Sequence, residues 1–454
     1  MDIEKLNVET RNQMNELFSS ILLEHKKINK IKHSKEEGFS NMENALKSYE
    51  RNKGRESFFP YISSGYGNGP FTQLIDGSVK YDLIGAMGPN LLGHSHPLYI
   101  KSHLEAAALD VITCGNLLNY NEPLRLTEEI LKSVKNTKLK HFWFAGSGSF
   151  ANDSALKMIW QKKAPKYKVI AFNKAFAGRS IATQDITFNP SYRENMPKTL
   201  EVCHVPHFDQ NDPENSLNKT LSALEKVWEQ ESHSICAMMI ELIQGEAGFV
   251  YGTKSFYKEI FKWAKEKSLY IWVDEVQTFG RTREIFAFQM FELDEYVDVV
   301  TVGKALQVCG TLYSEELNPK PGLIAGTFNG ALSAIIAGQK IVNYLRKGPF
   351  YGENGRIHQI ETTFLSSLKK LSETTCKGKI NYYGGIGTMI SFEVGDSSKE
   401  STIYFIKKLY ENGVISFIAG NNPTRVRFLL PLSLTDDHIK EIFSIVEKTT
   451  LDLF

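Results

Sequence analysis

The sequence predicts an α/β protein built on a mostly parallel sheet. Several short apolar runs are rich in β-branched or aromatic residues and have the length of buried strands; they cover residues 139–145, 168–172, 235–241, 269–273 and 297–302. An amphipathic helix is predicted over residues 254–267, between the third and fourth runs, and another near Ala151, after the first. In such a sheet the carboxyl ends of the strands share one edge, where ligands bind.

Composition limits the function before any motif is considered. The 454 residues allow two domains, or one large α/β domain with an appendage. A formal net charge of +1 gives no reason to expect a nucleic-acid or anionic-membrane partner. No apolar run approaches the roughly 18 residues of a membrane span, and the first residues lack an apolar signal core. We therefore expect a cytoplasmic protein.

Cysteine usage agrees with a reducing compartment. The five cysteines are scattered, odd in number and without CxxC spacing, which argues against disulfides and against a zinc site; they are Cys114, Cys203, Cys236, Cys309 and Cys376. The histidines of GHSHP (93–97) lie two residues apart without an accompanying cysteine or acid cluster. We expect a structural turn there and no metal site.

The ends of the chain carry little chemistry. Residues 1–53 are polar and lysine-rich, with an apolar patch at 17–23 that indicates a helix. Asp76-Gly77 marks a hairpin turn. From residue 331 a long helix leads into strands at GTMISFEV and RVRFLL, and a last helix begins at Thr435 with an acidic first turn.

Two charged residues follow neighbouring apolar runs in the stretch 270–310. Asp274 comes directly after the run 269–273, and Lys304 follows the run 297–302 after one glycine. Both would face one crevice of a parallel sheet. Pyridoxal phosphate needs such a pair, because a carboxylate keeps its ring nitrogen protonated and a lysine forms the Schiff base. Since acids and lysines flank many strands, solvated loop charges remain the alternative.

An anion site is predicted after the first strand. GSGSFANDSALKM (146–158) places a turn of small residues between a strand and a helix, where backbone N–H groups and the helix dipole favour a phosphate. An ordinary Ser/Gly turn is the alternative.

DEVQ-x-x-GRT (274–282) followed by a strand and Gly-Lys resembles the class III pyridoxal-phosphate aminotransferases, the group of ornithine, acetylornithine, 4-aminobutyrate and lysine ω-transaminases. The resemblance covers roughly residues 54–435.

The resemblance implies a fold type I transferase with a large, mostly parallel sheet domain and a small α/β domain built from both ends. The expected parts are an N-terminal arm (1–53), an N-terminal part of the small domain (54–100), the large cofactor domain (101–330) and the C-terminal small domain (331–454). It also implies a homodimer with a shared active site, because Thr327 matches the residue that binds the partner's cofactor phosphate. As an isolated threonine it could equally cap a helix.

Roles at the cofactor follow from the same resemblance. Lys304 would form the Schiff base, and Asp274 would hold the ring nitrogen. The remaining implied contacts are the phosphate turn Ser147, Gly148 and Ser149, the ring faces Phe176 and Val276, and the ring hydroxyl partner Gln277.

Substrate contacts are implied at three positions. Arg179 matches the arginine that grips a substrate carboxylate, for which a bidentate guanidinium is suited. Glu246, in ELIQGEAGF, matches a glutamate that pairs with a C-terminal arginine, here Arg427, and releases it when 2-oxoglutarate or glutamate enters. A surface arginine and an unpartnered loop carboxylate are the structural alternatives for Arg179 and Glu246. The resemblance thus implies transfer of an amino group from an ω-amino donor to a 2-oxo acid.

Several positions depart from the family pattern. Phe150 replaces a glutamate, Ala177 a usual histidine and Phe279 a usual glycine, and the loop after Lys304 is short. Other class III chemistry (decarboxylation, racemisation, aminomutation) and a catalytically silent dimer therefore remain open. The sequence does not identify the donor, because an apolar pocket wall distinguishes two substrates that differ by one methylene by only about 1–3 kcal/mol of binding free energy.

Overall fold

The chain divides into two compact units. A computed structural model describes residues 6–34, 36–110 and 119–454, so that Cys114 lies outside the described residues. One unit combines Met1–Leu104 with Gln359–Phe454, and the other is Glu105–His358. We expected the C-terminal part of the small domain to begin at residue 331. The second unit instead extends to His358, because the helix that follows residue 331 packs against another helix of that unit.

The secondary structure alternates in the manner of an α/β protein. The helices are α1 (Val8–Lys26), α2 (Glu36–Lys53), α3 (Pro97–Ala107), α4 (Asn121–Ser133), α5 (Gly148–Lys163), α6 (Thr183–Ile186), α7 (Pro213–Glu231), α8 (Lys254–Glu266), α9 (Ala287–Met290), α10 (Leu332–Lys347), α11 (Arg356–Glu373), α12 (Lys399–Glu411) and α13 (Asp436–Leu453). The strands are β1 (Ser63–Asn68), β2 (Phe71–Leu74), β3 (Val79–Asp82), β4 (Leu139–Ala145), β5 (Lys168–Phe172), β6 (Val202–Val205), β7 (Ile235–Ile240), β8 (Ile243–Gln244), β9 (Val250–Tyr251), β10 (Tyr270–Glu275), β11 (Val299–Val302), β12 (Cys309–Ser314), β13 (Ile380–Ile386), β14 (Met389–Val394), β15 (Val414–Ile415), β16 (Phe417–Ala419) and β17 (Arg425–Leu429).

A seven-stranded sheet forms the centre of the second unit in the described part of the chain. Its order is β4-β12-β11-β10-β7-β5-β6. Only β12 runs against its neighbours, and the other pairings are parallel. Strands β7, β10 and β11 are buried along their whole length, as their continuous apolar runs predict. The five predicted strands and the mostly parallel sheet are therefore confirmed.

Two boundaries in this unit differ from the prediction, and both concern the site. The helix predicted near Ala151 begins at Gly148, because the Ser147 hydroxyl accepts the N–H of Phe150 and caps it three residues earlier. Strand β10 continues through Asp274 and Glu275, which pair with Thr301 and Val302 of β11. The two carboxylates are thus the last two residues of a buried strand.

The first unit contains two small sheets and the terminal helices. The predicted hairpin is present as the antiparallel pair β2 and β3, to which β15 adds in parallel. A second sheet has the order β13-β14-β17-β16. The helix predicted in the N-terminal arm is α1, and α13 begins at Asp436 after Thr435, which caps it in a capping box. In the described residues no helix combines the length and apolarity needed to cross a membrane.

The buried carboxylate of Glu275 makes the stability of the second unit depend on pH. Glu275 is fully buried and accepts the N–H of Phe288 (2.9 Å) and the hydroxyl of Thr278. Burial raises its pKa to about 7. Burial disfavours the ionised form of Glu275 in the folded state. The contribution of the protonated side chain to the free energy of unfolding is therefore complete below the ordinary carboxyl pKa. It is lost as the pH rises from there to about 7.

We predict that Glu275→Gln removes this titration. The stability of the variant relative to the unsubstituted protein should increase by up to roughly 3 kcal/mol between pH 4.5 and pH 7 and then stay level. Thermal unfolding at pH 5, 6, 7 and 8 measures the difference. Glu16→Gln, at an exposed position on α1, is the control and should leave the pH profile unchanged. Parallel profiles for Glu275→Gln and the unsubstituted protein would contradict the prediction.

Candidate active site

Turns at the carboxyl ends of five strands of the large sheet converge in the second unit. They follow β4, β5, β7, β10 and β11, and several of their glycines allow close approach between turns. A side chain at Gly148 would place its Cβ 2.9 Å from Val276 Cγ1, and one at Gly303 would be 3.3 Å from the same atom. Val276 therefore lies between the turn that begins α5 and the turn that carries Lys304.

Asp274 is a buried acid of this region, with 7% of its surface exposed. Asn152 Nδ2 donates to its Oδ2 at 2.7 Å, and the N–H of Val276 donates to its Oδ1 at 2.8 Å. Burial raises the pKa of Asp274, whereas these two hydrogen bonds and the charge of Lys304 lower it. The carboxylate is thus fixed in orientation and lies within electrostatic reach of the lysine.

Lys304 lies two residues beyond Val302, the partner of Glu275 in the β10–β11 ladder. It begins a short 3-10 turn with a positive φ of 46°, in the left-handed region that costs a residue with a side chain roughly 1–3 kcal/mol. Gln307, also at positive φ, ends the turn, and β12 begins at Cys309. The short loop after Lys304 is therefore one tight turn that leads into an antiparallel strand.

The start of α5 forms an anion cradle. Ser147 caps the helix, and in the described chain the N–H groups of Gly148 and Ser149 have no hydrogen-bond partner. Unpaired N–H groups at a helix N-terminus are ready to bind a phosphate. The Ser149 hydroxyl accepts the N–H of Arg179 at 3.2 Å, which joins the cradle to the turn after β5.

A second buried acid, Glu241, connects two of the turns. Its Oε1 accepts the N–H of Phe176 at 2.8 Å, and its Oε2 accepts the N–H of Gly245 at 3.2 Å. Burial and the charge of Asp274 raise the pKa of Glu241 to about 8. A Cβ at Gly245 would meet the end of the Gln277 side chain, which would have to shift, so the turns after β7 and β10 approach each other closely here.

Comparison with known proteins identifies the family. The profile of the family described as aminotransferase class-III matches residues 53–450. The chain is a class III aminotransferase. Acetylornithine aminotransferase from Bacillus cereus is 30% identical over 393 residues, which cover 84% of this chain and 93% of that protein. Acetylornithine aminotransferase from Aquifex aeolicus is 28% identical and covers 84% and 95%.

Solved structures share the fold. Lysine aminotransferase from M. tuberculosis in the internal aldimine form aligns with a TM-score of 0.81 at 21% identity, covering 90% of this chain and 100% of that one. Ornithine aminotransferase from Toxoplasma gondii ME49 aligns with a TM-score of 0.78, also at 21% identity, and covers 90% and 95%. The predicted family, the fold type I architecture, the transaminase activity and the pyridoxal phosphate cofactor are confirmed.

The residues of this aminotransferase fit pyridoxal phosphate. Gln277 Oε1 and Asn152 Oδ1 are buried and have no hydrogen-bond partner within the described residues. A buried acceptor without a donor is costly, and a ring substituent with an O–H or N–H group would satisfy it. The free amides of the α5 cradle suit the phosphate, and the buried carboxylate of Asp274 suits a protonated ring nitrogen. In residues 6–34, 36–110 and 119–454 no cluster of metal-ligating side chains is found.

The predicted substrate residues lie on different elements. Arg179 is exposed, and its guanidinium lies 4.0 Å from the centre of the Tyr192 ring. Glu246 is half-buried in the turn between β8 and β9 of the second unit. Arg427 is buried on β17 of the first unit, 5.6 Å from the centre of the Phe417 ring. The pairing of Glu246 with Arg427 stays a prediction.

The aromatic departures from the family pattern have distinct surroundings. Phe279 is fully buried and packs on Phe286 at 5.3 Å between ring centres, so it is a core residue. Phe150 is 60% exposed and lines a groove of about 1020 Å³ together with Arg179 and Phe328. Ala177 is buried, and its carbonyl accepts a hydrogen bond from Asn152 at 2.7 Å.

Three contributors to the site were missed from the sequence. Asn152 and Glu241 both stand inside the motifs that carry the family resemblance, so their positions were visible although no role was assigned to them. Thr187 belongs to no motif. Its hydroxyl donates to the Gly178 carbonyl (2.9 Å) and accepts the N–H of Ala177 (3.0 Å). Only the folded loop after β5 brings it to that backbone.

Proposed function

We propose that this aminotransferase moves an amino group from an ω-amino donor of the ornithine, acetylornithine, lysine or 4-aminobutyrate type to a 2-oxo acid, with 2-oxoglutarate as the acceptor. The observation that carries the proposal is the buried carboxylate of Asp274 at the end of β10, within electrostatic reach of Lys304 after the neighbouring parallel strand. The names of the acetylornithine, lysine and ornithine aminotransferases to which the chain is similar support this donor class.

The chain supplies a contact for each part of pyridoxal phosphate. The N–H groups of Gly148 and Ser149, with Ser147, would hold the phosphate. Phe176 and Val276 would cover the two faces of the ring, since an aromatic and a branched aliphatic side chain exclude water from both sides. Gln277 would bond the ring hydroxyl, which satisfies its buried oxygen.

The protein's part in the reaction follows from Asp274 and Lys304. When bound, pyridoxal phosphate supplies an electron sink for the carbon that bears the amino group. Asp274, oriented by Asn152 and by the Val276 N–H, holds the proton on the ring nitrogen. A positive ring would offset the burial cost that raises the pKa of this carboxyl. The Lys304 amine would then remove the proton from the donor carbon as a general base and, as a general acid, deliver it to the cofactor carbon C4′, so that the amino group stays with the cofactor.

Three charged residues would select the substrates. Arg179 would bind a donor carboxylate, and Glu246 and Arg427 would distinguish the two substrates of the exchange. Arg427 lies over the ring of Phe417, which packs on Phe58 at 4.8 Å between ring centres. An aromatic wall beside a buried guanidinium suits a substrate with an aliphatic stem and a terminal carboxylate.

A shared active site in a homodimer is part of the proposal. Thr327 and Phe328 are exposed in a loop that borders the groove of about 1020 Å³, and Phe150 and Ile181 on its walls are also exposed. A second copy of the chain would cover this apolar surface and bring Thr327 to the partner's cofactor phosphate. We place the enzyme in the cytoplasm, because the four cysteines within the described residues are free thiols.

A panel of donors tests the function. The purified holoenzyme is incubated with 2-oxoglutarate and, separately, N-acetylornithine, ornithine, lysine or 4-aminobutyrate, and glutamate is measured. We expect glutamate with at least one of these donors, and none with leucine, which has no ω-amino group. Release of carbon dioxide, or no glutamate from any ω-amino donor, would reject the proposal. Sedimentation velocity of the same sample tests the dimer.

A further inference from the structure

The backbone of the Phe176–Arg179 segment is fixed by hydrogen bonds from four directions. Glu241 accepts from the Phe176 N–H, Thr187 bonds both Ala177 and Gly178, Asn152 donates to the Ala177 carbonyl, and Ser149 accepts from the Arg179 N–H. Four side chains from three parts of the chain (α5, the residue after α6 and the residue after β7) thus determine where this main chain lies. Any freedom in placing the charged group of Arg179 must come from its own side-chain torsions.

The guanidinium of Arg179 rests on an aromatic ring. Its central carbon is 4.0 Å from the centre of the Tyr192 ring, which is the distance of a cation–π stack. In the described part of the chain no carboxylate forms an ion pair with Arg179. The stack uses the flat face of the guanidinium and leaves the N–H edges available for a bidentate carboxylate.

The Tyr192 ring is itself held in place. Tyr192 lies in a short 3-10 turn (Pro190–Arg193), and the Asn189 side chain accepts the N–H of Ser191 at 3.1 Å at its start. Arg193 donates to the carbonyl of Thr187 at 2.6 Å, and Thr187 is the residue that bonds the backbone beneath Arg179. The same ring forms a T-shaped contact with Phe176, at 6.2 Å between centres and 90° between planes.

We propose that Tyr192 is a specificity-determining positioning residue, which holds the Arg179 guanidinium in place for the carboxylate of the donor. This inference rests on the proposed function of Arg179. A prearranged guanidinium binds a carboxylate without first losing the freedom of a long side chain. Tyr192 should therefore favour donors that carry a carboxylate over amines of the same length that lack one.

The test compares ornithine with 1,4-diaminobutane, which differs from it by the carboxylate alone. In the holoenzyme, Tyr192→Leu should raise the KM for ornithine roughly 3- to 10-fold and change kcat less than about twofold, as expected for loss of a cation–π contact. The KM for the diamine, or its inhibition constant against ornithine if turnover is too slow, should stay unchanged. Tyr192→Phe keeps the ring and should behave as the unsubstituted enzyme.

Matched controls separate this role from a structural one. Arg425 stacks on Tyr382 at 3.9 Å in the first unit, so Tyr382→Leu removes an equivalent contact elsewhere and should leave both KM values unchanged. Tyr192→His is the second variant if Tyr192→Leu fails to fold. Equal losses for ornithine and the diamine, or no loss for ornithine, would overturn the inference. If Arg179→Ala leaves the KM for ornithine unchanged, the proposed carboxylate contact itself is wrong.

Discussion

Replacing Lys304 with alanine should abolish transamination while leaving the fold intact. Lys304 lies at the carboxyl edge of the sheet, and its positive charge lowers the pKa of the buried acid Asp274. Without its amine, the reaction loses the group that would take the proton from the donor carbon and pass it to the cofactor carbon C4′. General acid–base catalysis alone contributes roughly 10²- to 10⁴-fold, so kcat should fall at least by that factor.

Reduction with borohydride provides a readout besides activity. In the unsubstituted enzyme borohydride should fix the cofactor to the peptide that contains Lys304, which mass spectrometry detects, and in Lys304→Ala it should fix none. Lys262→Ala is the control, because this exposed lysine on α8 pairs only with Glu259 in the described structure. Label on another lysine of the unsubstituted enzyme, or near-normal turnover in Lys304→Ala, would rule out the assigned role.

Replacing Asp274 with alanine should release the cofactor. The carboxylate is 7% exposed and receives hydrogen bonds from Asn152 and the Val276 N–H. Removal of one partner of a buried ion pair costs roughly 3–5 kcal/mol, which corresponds to a cofactor Kd raised roughly a hundred- to several thousand-fold. Equilibrium dialysis of the variant against pyridoxal phosphate measures that Kd.

Asp298→Asn is the matched control for this substitution. Asp298 is another buried aspartate of the same sheet, but it lies just before β11, at the opposite end of the strands from the site. Its replacement should lower thermal stability and leave the cofactor Kd unchanged. If Asp274→Ala retains the cofactor as tightly as Asp298→Asn does, Asp274 does not hold the ring nitrogen.

Patterns within single segments predicted most of the fold. Continuous apolar runs identify β7, β10 and β11, because strands buried on both faces have no polar side to display. The start of α5 was misplaced by three residues, since the cap at Ser147 is a local hydrogen bond that apolar periodicity does not register. The extent of the second unit depends on packing of α10 against α4, which no local pattern contains.

The site was predictable where chemistry requires a particular side chain next to a strand end. The structure places Asp274 and Lys304 at such strand ends, while their roles and the remaining contacts implied by the resemblance to known enzymes stay predictions. Thr187 and Tyr192 were not predictable, because only folding brings their loop into contact with the segment after β5. A threonine and a tyrosine in a loop have many ordinary uses, and the sequence does not distinguish this one.

The hydrogen bonds that fix the main chain after β5 should allow side chains there to be substituted without moving the backbone. Four anchors hold its main chain without involving the side chains of Phe176 and Arg179. A combinatorial library at these two positions and at Tyr192 would vary the shape and charge offered to the donor on an unchanged scaffold. Directed evolution toward new amines could therefore begin with three codons and need no redesign of the loop.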